Sequence, residues 1–289
     1  VLHKASNFMI EFNLPSYKKS EPRIKVTYNK KEVTSTFLKS AQLQKGHDKQ
    51  IEYVFNKLNL KPDRRHQIDV YWSPNDDNIF SRLAYLPPSC SINTSRSIAT
   101  TAPFKPNPDY IKFINNTALT QQINPSLLAG LVAQESGFKP NQVSYAKAIG
   151  LTQITPIADE EIKKMRPDWN TDSRLETLSV LEIETLIKRQ EISRKQDWRL
   201  NPDQAIEGGA LYLNYLINYW NLAENKALLT SNLKTEKTHV ILASYNSGAA
   251  RVKSKIKSNG NDWLDDDELK EAFKYVNSVV SYCYHFSEE

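Results

Sequence analysis

The sequence predicts an α+β protein in which a small α/β unit precedes a larger, mostly helical domain. Short stretches of the first hundred residues alternate apolar and polar side chains, which is the period of half-buried strands. Beyond residue 106 the apolar residues recur at helical spacing, and three predicted helices begin with an Asn-Pro pair. A stretch rich in Pro, Ser and Thr lies between the two regions.

Composition places the 289-residue chain among globular proteins. It is 39% hydrophobic and 25% charged with a mean hydropathy of -0.57, and no apolar run approaches the length of a membrane-spanning helix. The net charge of +5 is divided unevenly, with +8 over residues 1–105 and −3 over residues 106–289. The positive charge of residues 1–105 is compatible with contact to an anionic polymer. A solvated, lysine-rich surface is the commoner explanation of such a charge. We expect no nucleic-acid partner and no integral membrane span.

The N-terminal region contains both strand and helix patterns. Alternation predicts strands over residues 8–14, 24–28 and 68–72. The apolar residues of 51–58 follow helical spacing and predict a helix. Together these elements predict a small basic α/β domain over residues 1–86, whose role the sequence leaves open.

Prolines and capping residues define the remaining organisation. Four prolines and many Ser and Thr residues predict an irregular connector over 87–106, followed by a helical domain over 107–289. Its helices are predicted to begin at Asn107, Asn124 and Asn201. At each position an Asn side chain caps the helix, and a proline occupies the first helical position, where its missing N–H costs nothing.

The helix after Asn201 carries a continuous apolar stripe and two adjacent glycines, Gly208 and Gly209. Glycines weaken an isolated helix, so we expect a neighbouring segment to pack closely against this pair.

The two cysteines, Cys90 and Cys283, are too few for a zinc site or a disulfide framework. A last helix is predicted to follow the acidic residues 265–267, and Cys283 lies on its apolar face. This position favours a small core residue. A disulfide between the two requires an oxidising compartment and a close approach of distant segments, and this alternative stays open.

The first candidate for chemistry is a carboxylate at a helix end. The helix that begins at Asn124 stops at Gly137, so Glu135 lies in its last turn. The negative end of the helix dipole and apolar surroundings both disfavour the charged form of this carboxyl group. We therefore expect a raised pKa, as a general acid requires near neutral pH. Position alone is weak evidence, because a glutamate at a helix end is usually solvated.

Four short motifs in a fixed order strengthen this assignment. They are Gln134-Glu135-Ser136-Gly137, Ala148-Ile149-Gly150-Leu151-Thr152-Gln153, Ala243-Ser244-Tyr245-Asn246-Ser247-Gly248, and Glu271 with Tyr275-Val276, and the Asn201-Pro202 helix falls between the second and the third. In this order and spacing, the chain from about Asn107 to His285 resembles the catalytic domain of the soluble lytic transglycosylases. These are lysozyme-like enzymes that cleave bacterial peptidoglycan. Residues 1–105 lie outside the resemblance.

The resemblance implies a role for each matching residue. Glu135 matches the single catalytic acid/base, Ser136 its usual follower, and Tyr275 a tyrosine close to the catalytic carboxylate. The residues expected to line the cleft and contact the glycan are Gly150, Leu151, Thr152, Gln153, Tyr245 and Asn246. Each of these, taken singly, has an ordinary structural explanation as a core aromatic, a loop residue or a turn glycine.

Two positions depart from the family pattern. Thr152 stands where methionine is usual, which removes a flexible apolar contact to sugar and is expected to alter affinity without abolishing chemistry. Ser244 follows Ala243 where many members have alanine directly before the tyrosine.

The implied reaction cleaves the MurNAc–GlcNAc β-1,4 bond of peptidoglycan without water and leaves 1,6-anhydromuramoyl ends, with Glu135 acting first as acid and then as base. The resemblance implies peptidoglycan glycan strands as the partner, a monomer, no metal and no cofactor. It also implies an exported protein of the periplasm or cell envelope. The chain begins at Val1 without a signal-like segment, which suggests a processed form.

The sequence leaves two alternative functions open. A goose-type lysozyme-like hydrolase requires a second carboxylate that activates water, and Asp159 or Glu160 are candidates. A catalytically silent wall-binding protein is the other alternative, with the basic N-terminal domain as its functional part.

A helical insertion is predicted over about 157–200, in a segment longer than we expect the family core to need. Leucines and isoleucines at helical spacing run through it. We expect either a helical flap beside the cleft, which shapes the entry of glycan strands, or a solvated elaboration without substrate contact.

Overall fold

The computed structural model describes residues 8–13, 23–40, 42–45, 50–55, 67–73, 81–85, 90–93, 96–230 and 237–287. The chain divides into two compact units, residues 1–89 and 90–289. The predicted fold class is confirmed, since a small unit with strands and a short helix precedes a mostly helical unit. The finer boundaries at residues 86 and 106 stay a prediction.

The described residues of the first unit form two antiparallel sheets and one short helix. Its elements are β1 (Phe8–Asn13), β2 (Arg23–Tyr28), β3 (Lys31–Glu32), α1 (Thr34–Ser40), β4 (Gln42–Lys45), β5 (Gln50–Phe55), β6 (Ile68–Ser73) and β7 (Ser81–Tyr85). One sheet has the order β1-β5-β4 and the other β3-β2-β6-β7. In the second sheet Val26 pairs with Val70, and both side chains are buried, as is that of Phe37 of α1.

The strands predicted over 24–28 and 68–72 are confirmed, and β1 accounts for the described part of 8–14. The helix predicted over 51–58 is wrong, because Gln50–Phe55 forms a strand paired on both sides by β1 and β4. Residues 56–58 lie outside the described residues. The segment is rich in β-branched and aromatic residues, and ladder pairing on both sides overrides the helical spacing that it also fits.

The described residues of the second unit are mostly helical, with 3-10 turns between several of the helices. Its helices are α2 (Pro108–Gln121), α3 (Pro125–Ser136), α4 (Pro156–Met165), α5 (Val180–Lys188), α6 (Pro202–Asn221), α7 (Ala223–Thr230), α8 (Lys237–Ser247), α9 (Ala249–Asn259) and α10 (Lys270–Phe286). Among the described residues, no helix is both long and apolar enough to span a membrane.

Local sequence signals place three of these helices. The side chains of Asn107, Asn124 and Asn201 accept hydrogen bonds from backbone N–H groups at the starts of α2, α3 and α6, as predicted. Gly137 ends α3 in the left-handed conformation, with φ of 58°. The leucine and valine side chains of α3 are fully buried, and each contributes roughly 1.5–3 kcal/mol by leaving water.

The expectation for the glycine pair of α6 is confirmed. A Cβ at Gly209 would lie 2.6 Å from Cγ2 of Thr152, and a Cβ at Gly208 would overlap the ring of Trp198. The two glycines therefore let different segments approach the same helix, the loop before α4 and the chain just before α6.

The predicted insertion is helical and contributes to the core. It contains α4, α5 and the 3-10 turns Ser173–Glu176 and Trp198–Leu200. One apolar cluster joins it to the loop before α4, through Val143, Ile149, Leu175, Ile183, Ile187, Ile192 and Leu200. Another includes Ile154, Ala158, Ile162, Trp169 and Trp198.

The Pro-rich segment packs onto the helical unit from residue 90 onward. Ile92 is buried, and its carbonyl oxygen accepts a hydrogen bond from the N–H of Asn124. Cys90 forms a disulfide with Cys283 of α10, with their Cα atoms 6.1 Å apart across 193 residues of sequence. The two cysteines are therefore paired, and Cys283 is not a free core thiol.

Candidate active site

Glu135 lies in the last turn of α3, and its carboxyl group is enclosed by side chains of two other helices. The residue as a whole is half-buried, so one edge stays accessible to solvent. The hydroxyl group of Tyr275, on α10, donates a hydrogen bond of 2.5 Å to Oε1 of Glu135. Two residues that are 140 positions apart in the sequence thus form one unit.

The pKa of Glu135 is raised from an ordinary value of 4.5 to about 8. Burial is the largest cause, since it removes water from the charged form. The hydrogen bond from Tyr275 acts in the opposite direction, and the nearby negative charge of Glu271 raises the pKa further. At neutral pH the folded protein therefore holds Glu135 mainly in the protonated form, which is able to donate a proton.

Tyr245, near the end of α8, forms the second aromatic wall of the site. Its ring is parallel to that of Tyr275 within 9°, with the centroids 6.5 Å apart. Its hydroxyl group donates a 2.8 Å hydrogen bond to the carbonyl oxygen of Thr152. Burial, followed by the charge of Glu135, raises the pKa of both tyrosines well above 10, so both remain neutral.

Ser136 links the catalytic helix to the neighbouring loop. Its hydroxyl group donates to the carbonyl oxygen of Leu151 at 2.8 Å and contacts that of Val132 at 3.2 Å. The loop with the predicted glycan contacts is therefore attached directly beside Glu135.

The structure places the loop residues Gly150, Leu151, Thr152 and Gln153 in buried positions. The Thr152 hydroxyl group donates to the carbonyl oxygen of Ala205 at 2.7 Å, so this side chain faces α6. The Gln153 side-chain amide donates to the carbonyl oxygen of Gly150 at 2.9 Å and to that of Gln142 at 3.0 Å. These contacts stiffen the loop from within.

Asn246 follows Tyr245 at the end of α8 and is half-buried. Its side-chain oxygen accepts a hydrogen bond of 2.9 Å from the Ser247 hydroxyl group. The structure thus brings Glu135, Ser136, Tyr245 and Tyr275 together, while the hydrogen bond between Asn246 and Ser247 stays within one turn.

Two neighbours of the site were not among the predicted site residues. Tyr212 of α6 packs edge-on against Tyr245, with the ring centroids 5.3 Å apart, and Glu271 acts electrostatically on Glu135. Both residues belong to the segments that carry the family resemblance. Tyr212 lies in the helix after Asn201, and Glu271 precedes Tyr275 by four residues in the fourth motif. This i, i+4 spacing on one helix face was the available signal for Glu271.

Asp159 and Glu160, the candidates for a second catalytic carboxylate, lie on α4. The Asp159 carboxylate is buried and accepts hydrogen bonds from the indole N–H of Trp198 at 2.8 Å and the Thr171 hydroxyl at 3.1 Å, and it pairs with Lys163. Glu160 is exposed. The negative charge of Glu271, on α10, does act on Glu135 and raises its pKa.

Sequence comparison identifies the class to which this helical unit belongs. A family model described as the transglycosylase SLT domain matches residues 112–180 and 182–266, which is more than half of the chain. The chain belongs to this family.

Several curated relatives share one description. The membrane-bound lytic murein transglycosylase C of Haemophilus ducreyi is 30% identical over 174 residues, which cover 60% of this chain and 37% of that protein. The protein of the same description from Actinobacillus pleuropneumoniae is 28% identical over 158 residues, covering 54% of this chain and 35% of the relative. This chain thus spans about a third of the length of the curated relatives it matches.

Solved structures of lytic transglycosylases also match. The lytic transglycosylase Slt of Pseudomonas aeruginosa has a TM-score of 0.43 at 20% identity, over 61% of this chain and 23% of that one. The 70 kDa soluble lytic transglycosylase of Escherichia coli has a TM-score of 0.42 at 21% identity, over 60% and 23%.

Proposed function

We propose that this protein is a peptidoglycan lytic transglycosylase with Glu135 as its single acid/base. The observation that carries the proposal is a half-buried carboxyl group with a pKa of about 8 that accepts a hydrogen bond from Tyr275. Such a group is a proton donor at neutral pH, as acid-catalysed cleavage of a glycosidic bond requires. Membership of the SLT family supplies the substrate class, the glycan strands of peptidoglycan.

The proposed reaction balances without water. Glu135 donates its proton to the glycosidic oxygen as the bond to C1 of the muramic sugar breaks, and the N-acetyl group of that sugar stabilises the cationic centre. The Glu135 carboxylate then removes the proton from the C6 hydroxyl group, whose oxygen bonds to C1. An intramolecular nucleophile gains from proximity over free water. The product is a 1,6-anhydromuramoyl end, and Glu135 is again protonated.

The remaining predicted residues have supporting roles in this proposal. Tyr275 orients and polarises Glu135, and Ser136 fixes the loop beside it. The glycan contacts fall to the loop of Gly150, Leu151, Thr152 and Gln153, and to Tyr245 and Asn246. Because the hydroxyl group of Thr152 is engaged with Ala205, its contribution comes from positioning the loop.

The mass of the products tests the proposal. Purified sacculi are digested with the full chain, and the released muropeptides are analysed by mass spectrometry. Anhydro ends, lighter by one water than hydrolysed ends, are expected. Glu135→Gln, which preserves shape but cannot donate a proton, should release almost nothing while melting cooperatively. Release by this variant close to that of the wild type would refute the role of Glu135.

A hydrolase remains the second candidate because a second carboxylate, Glu271, lies in electrostatic range of Glu135. Hydrolysed ends in the same spectra would identify that activity. A silent wall-binding protein would release neither product and would still sediment with sacculi.

We propose that the protein works as an exported monomer in the periplasm or cell envelope. The Cys90–Cys283 disulfide supports this location, since such bonds persist in oxidising compartments. Thiol alkylation of intact cells before lysis should leave both cysteines unmodified, and light scattering on a size-exclusion column should give the monomer mass. Alkylated cysteines or a dimer mass would contradict the respective statement.

The flap remains a separate proposal for the insertion at about 157–200. Its packing against Val143 and Ile149, a few residues before Gly150, supports a position beside the cleft. A charge at Leu181, which is 73% exposed on α5, leaves the core intact and tests contact with substrate. Leu181→Glu should change the ratio of products from long strands and short muropeptides, whereas an unchanged ratio and rate would count against the flap.

A further inference from the structure

The two helices that meet at the candidate site run antiparallel along each other. Gly130, in the middle of α3, packs against the backbone of α10, where an added Cβ would lie 2.8 Å from the carbonyl oxygen of Val279. Five residues later in α3, Glu135 meets Tyr275, which is four residues earlier in α10. The C-terminal end of α3 therefore lies beside the N-terminal part of α10. Glu271 is one helical turn before Tyr275 in that part of α10.

The direction of the side chains brings this turn towards the site. Side chains on a helix lean towards its N-terminus, so the ring of Tyr275 extends over the turn that contains Glu271. Glu271 itself is exposed in the first turn of α10. It therefore stands at the solvent edge of the Glu135–Tyr275 pair.

The groups that face Glu135 differ in charge. Tyr275 from α10 and Tyr245 from α8 are neutral at any pH at which the protein would work. Glu271 from α10 is the carboxylate that acts on Glu135. A negative charge beside a carboxyl group opposes its ionisation.

We propose that Glu271 is a positioning residue for the reaction, whose negative charge at the edge of the site holds the acid proton on Glu135. The inference rests on the proposed function, because the reaction begins with Glu135 protonated. The direction of the electrostatic effect of Glu271 on the pKa of Glu135 agrees with this role. Since Glu271 is exposed, the effect acts through partly screened space and is moderate.

The pH profile of kcat/KM tests the proposal in the full chain. Glu271→Gln should move the midpoint of the alkaline limb down by about half a pH unit, as expected for a moderate electrostatic effect across partly screened space. Glu271→Lys should move it about twice as far. Above the midpoint kcat/KM of Glu271→Gln should fall about threefold, and well below it the variant should match the wild type.

Glu268→Gln is the matched control. It removes the same charge three residues away, from a carboxylate that pairs with Lys255 at 2.8 Å, and it should leave the midpoint in place. An unmoved midpoint in both Glu271 variants would overturn the proposal. A loss of equal size at every pH would do so as well, because it indicates a substrate contact. Loss of a hydrolysed product alone would identify Glu271 as a base that activates water.

A titration without substrate separates this inference from the proposed function. The ¹³C carboxyl resonance of Glu135, assigned by its absence from Glu135→Gln, should titrate at lower pH in Glu271→Gln than in the wild type. The difference should shrink with added salt. A shift seen without any cleavage of peptidoglycan would leave the electrostatic role standing and reject the reaction, whereas cleavage without a shift would reject the role of Glu271 alone.

Discussion

The hydroxyl oxygen of Tyr275 lies 2.5 Å from Oε1 of Glu135, and this contact joins the end of α3 to the first half of α10. Further contacts fix the position of Tyr275. Tyr275 stacks on Tyr245, whose hydroxyl group is bound to the carbonyl oxygen of Thr152. The position of the acid therefore depends on three helices and one loop, and changes at any of them should be detectable in its titration.

Removing the Tyr275 hydroxyl group should lower turnover and leave glycan binding largely intact. The hydrogen bond lowers the pKa of Glu135, so in Tyr275→Phe that pKa should rise above about 8 and the carboxylate should be less stable. A hydrogen bond to a charged group is worth roughly 1.5–3 kcal/mol, which corresponds to a loss of about 10- to 150-fold in kcat.

Steady-state kinetics with a soluble glycan substrate measures the effects on kcat and on KM separately. Tyr282→Phe is the control, since its ring stacks on Phe286 away from Glu135. If binding weakens while bound substrate turns over at the normal rate, Tyr275 is a binding contact instead.

The protonated state of Glu135 should be visible in the stability of the protein. The unfolded carboxyl group titrates near 4.5 and the folded one at about 8, so between these values the folded chain binds the extra proton. Stability should therefore fall as the pH rises through this window. Glu135→Gln removes that dependence and should be more stable than the wild type at pH 7, by an amount on the order of 3 kcal/mol.

Melting temperatures between pH 4 and 9 provide the measurement. The two proteins should converge near pH 4, and Glu176→Gln, on an exposed 3-10 turn, should follow the wild type throughout. A constant difference between Glu135→Gln and wild type at every pH would contradict a raised pKa.

The disulfide should contribute substantially to the stability of the helical unit. It closes a loop of 193 residues, and a bond of this kind restricts the unfolded chain most when the loop is long. Replacing Cys90 and Cys283 by serine should lower the free energy of unfolding by about 2–5 kcal/mol. Urea denaturation measures it, and the reduced wild type should resemble the double variant. Equal midpoints for the oxidised and reduced wild type would argue against this contribution.

Replacing Gly208 or Gly209 of α6 by alanine should lower the stability of the protein, whereas the same replacement at an ordinary helix position raises it. Alanine usually stabilises a helix by roughly 0.5–1 kcal/mol relative to glycine. Gly209→Ala should instead destabilise by about 1–3 kcal/mol, because the new Cβ displaces Thr152. It should also lower kcat, since Thr152 holds the Tyr245 hydroxyl group.

Gly208→Ala meets the ring of Trp198 and should destabilise the protein to a similar extent. Asn218→Ala, at an exposed position of the same helix, is the control and should change stability little. A stabilised Gly209→Ala would show that the loop beside α6 adapts without cost.

The sequence by itself determined the features that depend on a few neighbouring residues. Asn107, Asn124 and Asn201 begin helices because an Asn side chain and a following proline meet the needs of a helix start within one turn. Gly137 ends α3 for a similarly local reason, and this placed Glu135 in a last turn before any tertiary contact was known. Family motifs then singled out Ser136, Tyr245 and Tyr275.

The tertiary structure decided whatever depends on partners distant in sequence. Residues 50–55 fit a helical spacing, yet they form a strand because two other strands pair with them. Thr152 was expected in the cleft, but a hydrogen bond to Ala205 turns its hydroxyl group towards α6. The pairing of Cys90 with Cys283 and the action of Glu271 on Glu135 likewise require distant segments to come together, and local sequence carries no measure of that distance.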